Sequence, residues 1–342
     1  MVRWRRMARV RTFARALKNL SLSAAAVAAS RVRGRRVSPR WSFMFEAGVK
    51  YLRDGFGYLD TLPVAEHRAE MEAMLLPDPA LREVDLKAET IAGRPAEIMR
   101  PHGLLTRRTV LYLHGGSYHY GSPKTHRPLL CRLATRAAAE IVAIDYRLAP
   151  EEPFPAGLED AVAAYQALLE RGTEPSAIVI AGDSAGGGLT GATVLAIRER
   201  GLPKPAGAAL ICPWVDLAAR EGSMIRNDAI DWLDAATIDG LARSYAGGAP
   251  LTDPLVSPLY GIDKGDAAAL PPLLVQVGSY EILVDQAVEF AERGQAAGVD
   301  VALRVWEDMV HDWHFLANVD PVGLAAIEEI AAFVARVTSR SA

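Results

Sequence analysis

Cysteine is nearly absent from this chain. The two present in 342 residues, Cys131 and Cys212, build no disulfide framework, and neither stands in a spacing that would hold a metal. Both lie in apolar surroundings and are expected as buried free thiols, which is compatible with a reducing compartment. Acidic residues are missing from the first forty positions, which carry twelve Lys and Arg. The rest of the chain sets 26 basic against 41 acidic residues, a net −15, while the whole chain is −3. An acidic body argues against nucleic acid as the main partner. No apolar run reaches the roughly 20 residues of a membrane-spanning helix. Outside the basic arm there is no internal repeat and no low-complexity segment.

Half the residues are hydrophobic and 23% are charged, so a large core can be built. Residues 1–36 form the basic arm. Within 1–20, Trp4, Met7, Val10, Ala14 and Leu17 recur at steps of three or four with arginines between them, the pattern of an amphipathic basic helix. It could lie on an anionic membrane surface, cover part of the protein as a cap, or serve as a targeting segment. Residues 37–79 alternate aromatic and apolar residues with charges, read as two helices over 41–76, and end at Pro77-Asp78-Pro79.

From residue 80 to 342 the pattern is that of an α/β domain. Strands are expected at 84–89, 96–100, 110–113, 141–144, 178–181, 208–211, 273–277 and 301–305. Helices are expected at 125–138, 157–171, 187–200, 286–297 and 323–338. Alternating β and α with continuously apolar strands predicts an eight-stranded, mostly parallel sheet with helices on both faces. An insert at about 214–260, with a helical core at 227–246, is too long for a plain connection and is expected to cover the site.

Two glycine-rich turns carry the chemistry. Gly182-Asp183-Ser184-Ala185-Gly186 follows a short apolar strand and precedes a helix, the setting of a nucleophile elbow. His114-Gly115-Gly116-Ser117-Tyr118 follows an earlier strand, where free backbone N–H groups can converge on an oxyanion.

In these motifs and their order the chain resembles the hormone-sensitive-lipase-like branch of the α/β-hydrolases, the bacterial family IV esterases, which implies that residues 80–342 are the catalytic domain. The matching stretches are His114-Gly115-Gly116, Gly121-Ser122, Asp145 to Glu151, Phe154-Pro155-Ala156, Gly182 to Gly187, Pro213 to Leu217 and Asp253 to Pro258. They span roughly residues 80 to 320 in the right order. The resemblance implies a serine carboxylesterase acting on short- to medium-chain acyl esters, with no metal or organic cofactor. It also implies a helical cap made from the N-terminal helices and the insert.

Under that resemblance Ser184 is the nucleophile. His311, in Asp308-Met309-Val310-His311-Asp312-Trp313, is the base. Glu281 is the acid preferred over Asp285, because it stands at the end of the seventh strand while Asp285 falls on the next helix's first turn. Gly115, Gly116 and Ala185 are the expected oxyanion donors. Ser117 stands where the family usually has a third glycine, which could narrow the pocket or add a hydrogen bond. His114, Asp145, Tyr146, Arg147, Glu151 and Asp183 are expected to brace the loops. His67, His102, His119 and His126 are expected on the surface or in loops, and His314 to pack or meet solvent.

Other acyl chemistries share this machinery, so lactones, amides or thioesters are alternative substrates, and a non-enzymatic ligand receptor is a further alternative. The expected partner is a small-molecule ester. Peripheral membrane contact through residues 1–20 and a homodimer stay open, and the expected location is cytoplasmic, with membrane association also open.

Overall fold

The computed structural model describes residues 2–73, 78–105 and 107–339, with backbone alone for residues 2–15. Residues 74–77 and 340–342, which belong to the expected N-terminal helices and catalytic domain, lie outside the described residues. Helix α1 runs Val2–Val32 without a break, past the expected end near residue 20. Its continuation is Ala-rich and helix-favouring. The amphipathic pattern foreseen for residues 1–20 falls mostly on side chains outside the described residues. From Ala16 onward, Ala16, Ser23 and Val27 are buried, and Ser23 Oγ donates to Asp54 Oδ2 on the next helix at 3.2 Å.

Helix α2 (Phe43–Leu59) opens on Ser42, whose hydroxyl accepts from Phe45 N–H. Helix α3 (Val64–Ala73) follows after a short turn. Then come strands β1 (Val84–Ile91) and β2 (Arg94–Pro101), and β3 (Thr109–Leu113) leading into helix α4 (Pro123–Ala137). Strand β4 (Glu140–Ile144) leads into α5 (Ala156–Glu170), and β5 (Ile178–Asp183) into α6 (Ala185–Glu199). Strand β6 (Gly207–Ile211) opens the insert with α7 (Ser223–Arg226) and α8 (Ala235–Ala246). The chain ends with β7 (Leu273–Gly278), α9 (Val284–Ala296), β8 (Val301–Trp306) and α10 (Pro321–Thr338).

The eight strands form one sheet in the order β1-β2-β4-β3-β5-β6-β7-β8. Pairings β1·β2 and β2·β4 are antiparallel, and from β4 to β8 every pairing is parallel. Side chains alternate between two cores. Leu111, Val142, Ile180 and Leu210 face the layer of α5, α6 and α9. Tyr112, Ile141, Val179 and Ala209 face the layer of α4 and α10. Both faces are covered, so the central strands read as continuous apolar runs instead of alternating ones.

The insert differs from expectation. Its helix starts at Ala235, not at 227. Asp234 caps it by accepting from Thr237 N–H at 2.8 Å, and residues before it turn inward around the buried Asp231. Three hydrogen bonds from Arg53 on α2 reach the carbonyls of Asp228, Ala229 and Asp231, which ties the N-terminal helices to the insert. Among the described residues, no helix is long and apolar enough to cross a membrane.

Candidate active site

The parallel strands deliver their loops to one edge of the sheet, where open α/β sheets collect functional groups. Ser184 sits between β5 and α6 with φ 53° and ψ −120°. A non-glycine residue in this region is strained by roughly 1–3 kcal/mol, and the surroundings hold it there. Ser184 N–H donates to Ile211 O at 2.8 Å, and Ser184 O accepts from Trp214 N–H at 2.9 Å. The turn is tight enough that a Cβ on Gly186 would lie 1.9 Å from Leu113 O, so this position must be glycine.

His311 follows β8 on a loop and is 1% exposed. Its Nδ1 lies 2.9 Å from Glu281 Oε2. The other oxygen, Oε1, accepts from Gly278 N–H at 2.5 Å. Asp285, the alternative acid, faces elsewhere. It accepts from Ser223 N–H at 2.8 Å and pairs with Arg226 at 2.7 Å, holding α7 against α9. Burial alone would lower the His311 pKa. The carboxylates of Asp312, Glu281 and Asp231 outweigh burial and lift it to about 10. Asp312 Oδ2 lies 3.2 Å from His311 Nε2. Burial lifts the Asp312 carboxyl well above the usual range, so imidazole and carboxyl compete for one proton.

Asp231, on the insert, has no counterpart in the sequence reading. Its Oδ1 accepts from His311 N–H and Trp232 N–H, each at 2.9 Å, and its Oδ2 from Ile282 N–H at 2.9 Å. One buried carboxylate thus joins the His311 loop to the Glu281 loop. Burial pushes it up to about 6. Nothing in the local sequence marks Asp231, because apart from its neighbour Trp232 its partners, Ile282 and His311, come from two distant segments.

The loop after β3 is held from below. Asp183 Oδ1 accepts from Tyr112 Oη at 2.8 Å and from Gly115 N–H at 3.1 Å, while Oδ2 lies 3.1 Å from His126 Nε2. Burial would raise Asp183, but His126 and these hydrogen bonds outweigh it and hold the carboxylate at about 2. Tyr146 Oη donates to His114 O at 2.6 Å and its ring stacks on His114, so Tyr146 braces the loop as expected, and Asp183, expected to support the elbow it stands in, reaches across to this loop. Arg147 does not. It pairs with Asp160 at 2.8 Å and secures the start of α5. Glu151 acts through Arg68 of α3, which also donates to His119 O and Ala149 O.

The expected role of Gly115 needs correction. Its N–H is already taken by Asp183, and a Cβ there would lie 2.2 Å from Asp183 Oδ2. Gly116 and Ser117, with φ of 118° and 53°, follow it around the turn and line the cavity. Among the described residues their N–H groups have no protein acceptor. Ala185 heads α6, where the first-turn N–H groups have no intrahelical partner.

Of the four histidines expected on the surface or in loops, three are buried, and His119 alone of these three lies in a loop, while His67 and His126 lie on α3 and α4. His67 stacks on Tyr120 at 3.7 Å, His119 bridges Ser117 O and Ser244 Oγ, and His126 contacts Asp183. Each is covered by a segment distant in sequence. His126 alone carried a local hint, standing one turn into the helix that follows the glycine loop after β3. His102 is exposed, and His314 is packed inside on Gln276.

Ser184, His311, Gly116 and Ser117 share one cavity of roughly 700 Å³, mouth included. Leu52 and Phe56 of α2, Met71 of α3 and Ile238 and Leu241 of α8 roof it with apolar surface. Among the described residues, two sets of three side chains could hold a cation, both built on Cys212: one with Asp312 and His314, the other with Glu281 and His311.

Residues 110–315 match the profile of a family described by its alpha/beta hydrolase fold. An acetyl-hydrolase of Streptomyces hygroscopicus is 44% identical over 250 residues, 73% of this chain and 82% of that protein. An esterase of Acinetobacter venetianus is 33% identical over 252 residues, again 73% of this chain and 82% of its own length. The crystal structure of an esterase from the bacterial hormone-sensitive lipase family superposes with a TM-score of 0.81 at 38% identity, covering 87% of this chain and 99% of the other. Family, fold, motif order and site geometry agree: this chain belongs to the hormone-sensitive-lipase-like branch of the α/β-hydrolases, the bacterial family IV esterases, and is a carboxylic ester hydrolase.

Proposed function

We propose that the chain hydrolyses short- to medium-chain acyl esters through an acyl-enzyme on Ser184, with His311 as base and Glu281 as its orienting acid. The observation that carries this is the buried 2.9 Å contact between His311 Nδ1 and Glu281, in the cavity that also holds Ser184 on its strained turn. Glu281 fixes the proton on Nδ1 and leaves Nε2 to act on the serine. His311 takes the Ser184 proton as Oγ attacks the ester carbonyl. The oxyanion is received by the N–H groups of Gly116, Ser117 and Ala185, each worth about 2.7–4 kcal/mol in the transition state. His311 then protonates the leaving alcohol, and water repeats the sequence to free the acid.

Short acyl groups are favoured by the apolar roof over a cavity of modest size. They are favoured also by relatives named acetyl-hydrolase and ethyl acetate hydrolase. The roof of α2, α3 and α8 acts as the cap. For the basic arm, the cap reading is favoured over membrane contact at residues 16–32, because Ala16, Ser23 and Val27 are buried and Ser23 bonds Asp54 of α2. Ser184→Ala should abolish p-nitrophenyl butyrate hydrolysis while circular dichroism stays unchanged. Retained turnover would overturn the assignment of the nucleophile.

A further inference from the structure

Behind His311 lies a cluster that the ester chemistry does not use. Cys212, just after β6, Asp312 and His314 each offer a ligand atom, all within 4.8 Å of one another. All three are buried, at 0%, 3% and 1% exposure. Two polar atoms here, Asp312 Oδ1 and His314 Nδ1, have no hydrogen-bond partner among the described residues, although the Cys212 thiol lies within hydrogen-bonding reach of the Asp312 carboxyl. Buried polar atoms left unpaired are rare and costly, so a pair of them at one point calls for a ligand.

The orientation of His314 is built in. Its Nε2 lies 2.6 Å from Gln276 Oε1, and the Gln276 amide nitrogen donates to Glu329 Oε2 at 2.6 Å and to Ala326 O at 3.3 Å. With the amide N–H groups facing acceptors, Oε1 faces the ring, so His314 carries its proton on Nε2. Nδ1 is left as an open lone pair. An outer residue that fixes the tautomer in this way is what metal-ligating histidines usually have.

We propose that Cys212, Asp312 and His314 form a binding site for a thiophilic divalent cation, with Zn2+ as the best fit. A thiolate, an imidazole and a carboxylate suit Zn2+, whereas Mg2+ and Ca2+ seek oxygen alone. Tetrahedral bonding at about 2.0–2.3 Å places ligand atoms roughly 3.3–3.8 Å apart, so a modest closing of the cluster is enough. As the sulfur–metal bond forms, the thiol proton leaves to solvent. Asp312 binds as carboxylate, releasing its proton if it holds one, and water completes the shell. Asp312 lies on the cavity wall, which gives the ion its way in. No sequence spacing announced this site, because Cys212 is separated from Asp312 and His314 by about a hundred residues of chain. Cys212 Sγ also lies within hydrogen-bonding reach of Glu281. A cation bound there withdraws the sulfur from Glu281 and opposes the positive charge that His311 must take up, so Zn2+ inhibits hydrolysis. The binding site itself does not depend on which serine is the nucleophile.

The test uses the full chain, stripped with chelator and titrated with Co2+, which shares the ligand preferences of Zn2+ and reports a thiolate by its near-ultraviolet charge-transfer band. Wild type should bind one equivalent with that band, and Zn2+ should displace it. Cys131→Ser should keep the band and Cys212→Ser should lose it. Gln276→Leu should weaken Zn2+ affinity about 10- to 100-fold. Folded wild type that shows no stoichiometric thiolate band would overturn the proposal, even if no variant folds. So would a band that survives Cys212→Ser, or a Gln276→Leu protein with undiminished affinity.

Discussion

Glu281→Gln separates the two candidate acids by a geometric argument. Both Glu281 oxygens are engaged: Oε1 accepts from Gly278 N–H at 2.5 Å and Oε2 faces His311 Nδ1 at 2.9 Å. Glutamine keeps one oxygen and gains an N–H2 group. Gly278 can only donate, so the amide oxygen must stay toward it. The N–H2 group then faces Nδ1, which becomes an acceptor, and the ring proton moves to Nε2. A protonated Nε2 cannot take the Ser184 proton. A wrong tautomer of this kind lowers kcat by about 10³–10⁴, or roughly 4–5.5 kcal/mol. KM should change little, because the substrate does not touch Glu281. Asp285→Asn removes an ion pair whose side chains are 58% and 50% exposed, so kcat should stay within about twofold. The assay is p-nitrophenyl butyrate hydrolysis under saturating substrate, with folding checked by circular dichroism. A Glu281→Gln enzyme that keeps more than about a tenth of wild-type kcat would refute the reasoning. So would an Asp285→Asn enzyme that falls equally far.

Other expectations follow from the supporting contacts. Tyr146→Phe leaves the buried His114 carbonyl without its 2.6 Å donor, and should lower urea stability by about 1–3 kcal/mol. Burial pushes His114 down to about 3, so between that pH and about 6.5 the unfolded chain holds a proton that the folded chain does not. Stability therefore rises with pH across that window, and His114→Gln should flatten the slope by about 1.4 kcal/mol per pH unit in urea titrations. Arg68→Ala unfastens α3 from His119 O, Ala149 O and Glu151. It should speed limited proteolysis near residues 60–63, and an unchanged cleavage rate would count against Arg68 as the tether.

Much of this architecture can be read from the residues alone. The central strands are apolar on both faces and sit between helices, so they stand out as short continuous runs. Ser184 is legible because its elbow needs glycine on both sides, and His311 because it follows the last strand. Glu281 is legible from its place at the end of β7. What escapes is what depends on distant segments meeting. Asp231 collects, besides its neighbour's N–H, those of Ile282 and His311, from parts of the chain that nothing local connects. Gly115 looks like its neighbour Gly116 until Asp183 is seen against it. His67, His119 and His126 read as loop residues because the groups that cover them come from elsewhere in the chain. The insert's helix starts late for the same reason, since residues 227–234 are drawn inward around Asp231 and away from a regular helix.

Trp41 Nε1 donates to Asp308 O across 267 positions of sequence, and Ser38 Oγ donates to Asp308 Oδ2 across 270. The beginning of the chain therefore latches onto the segment that carries His311, three residues further on. The stretch around residues 38–41 and the loop that bears His311 are thus one mechanical unit, in which loosening the first loosens the second.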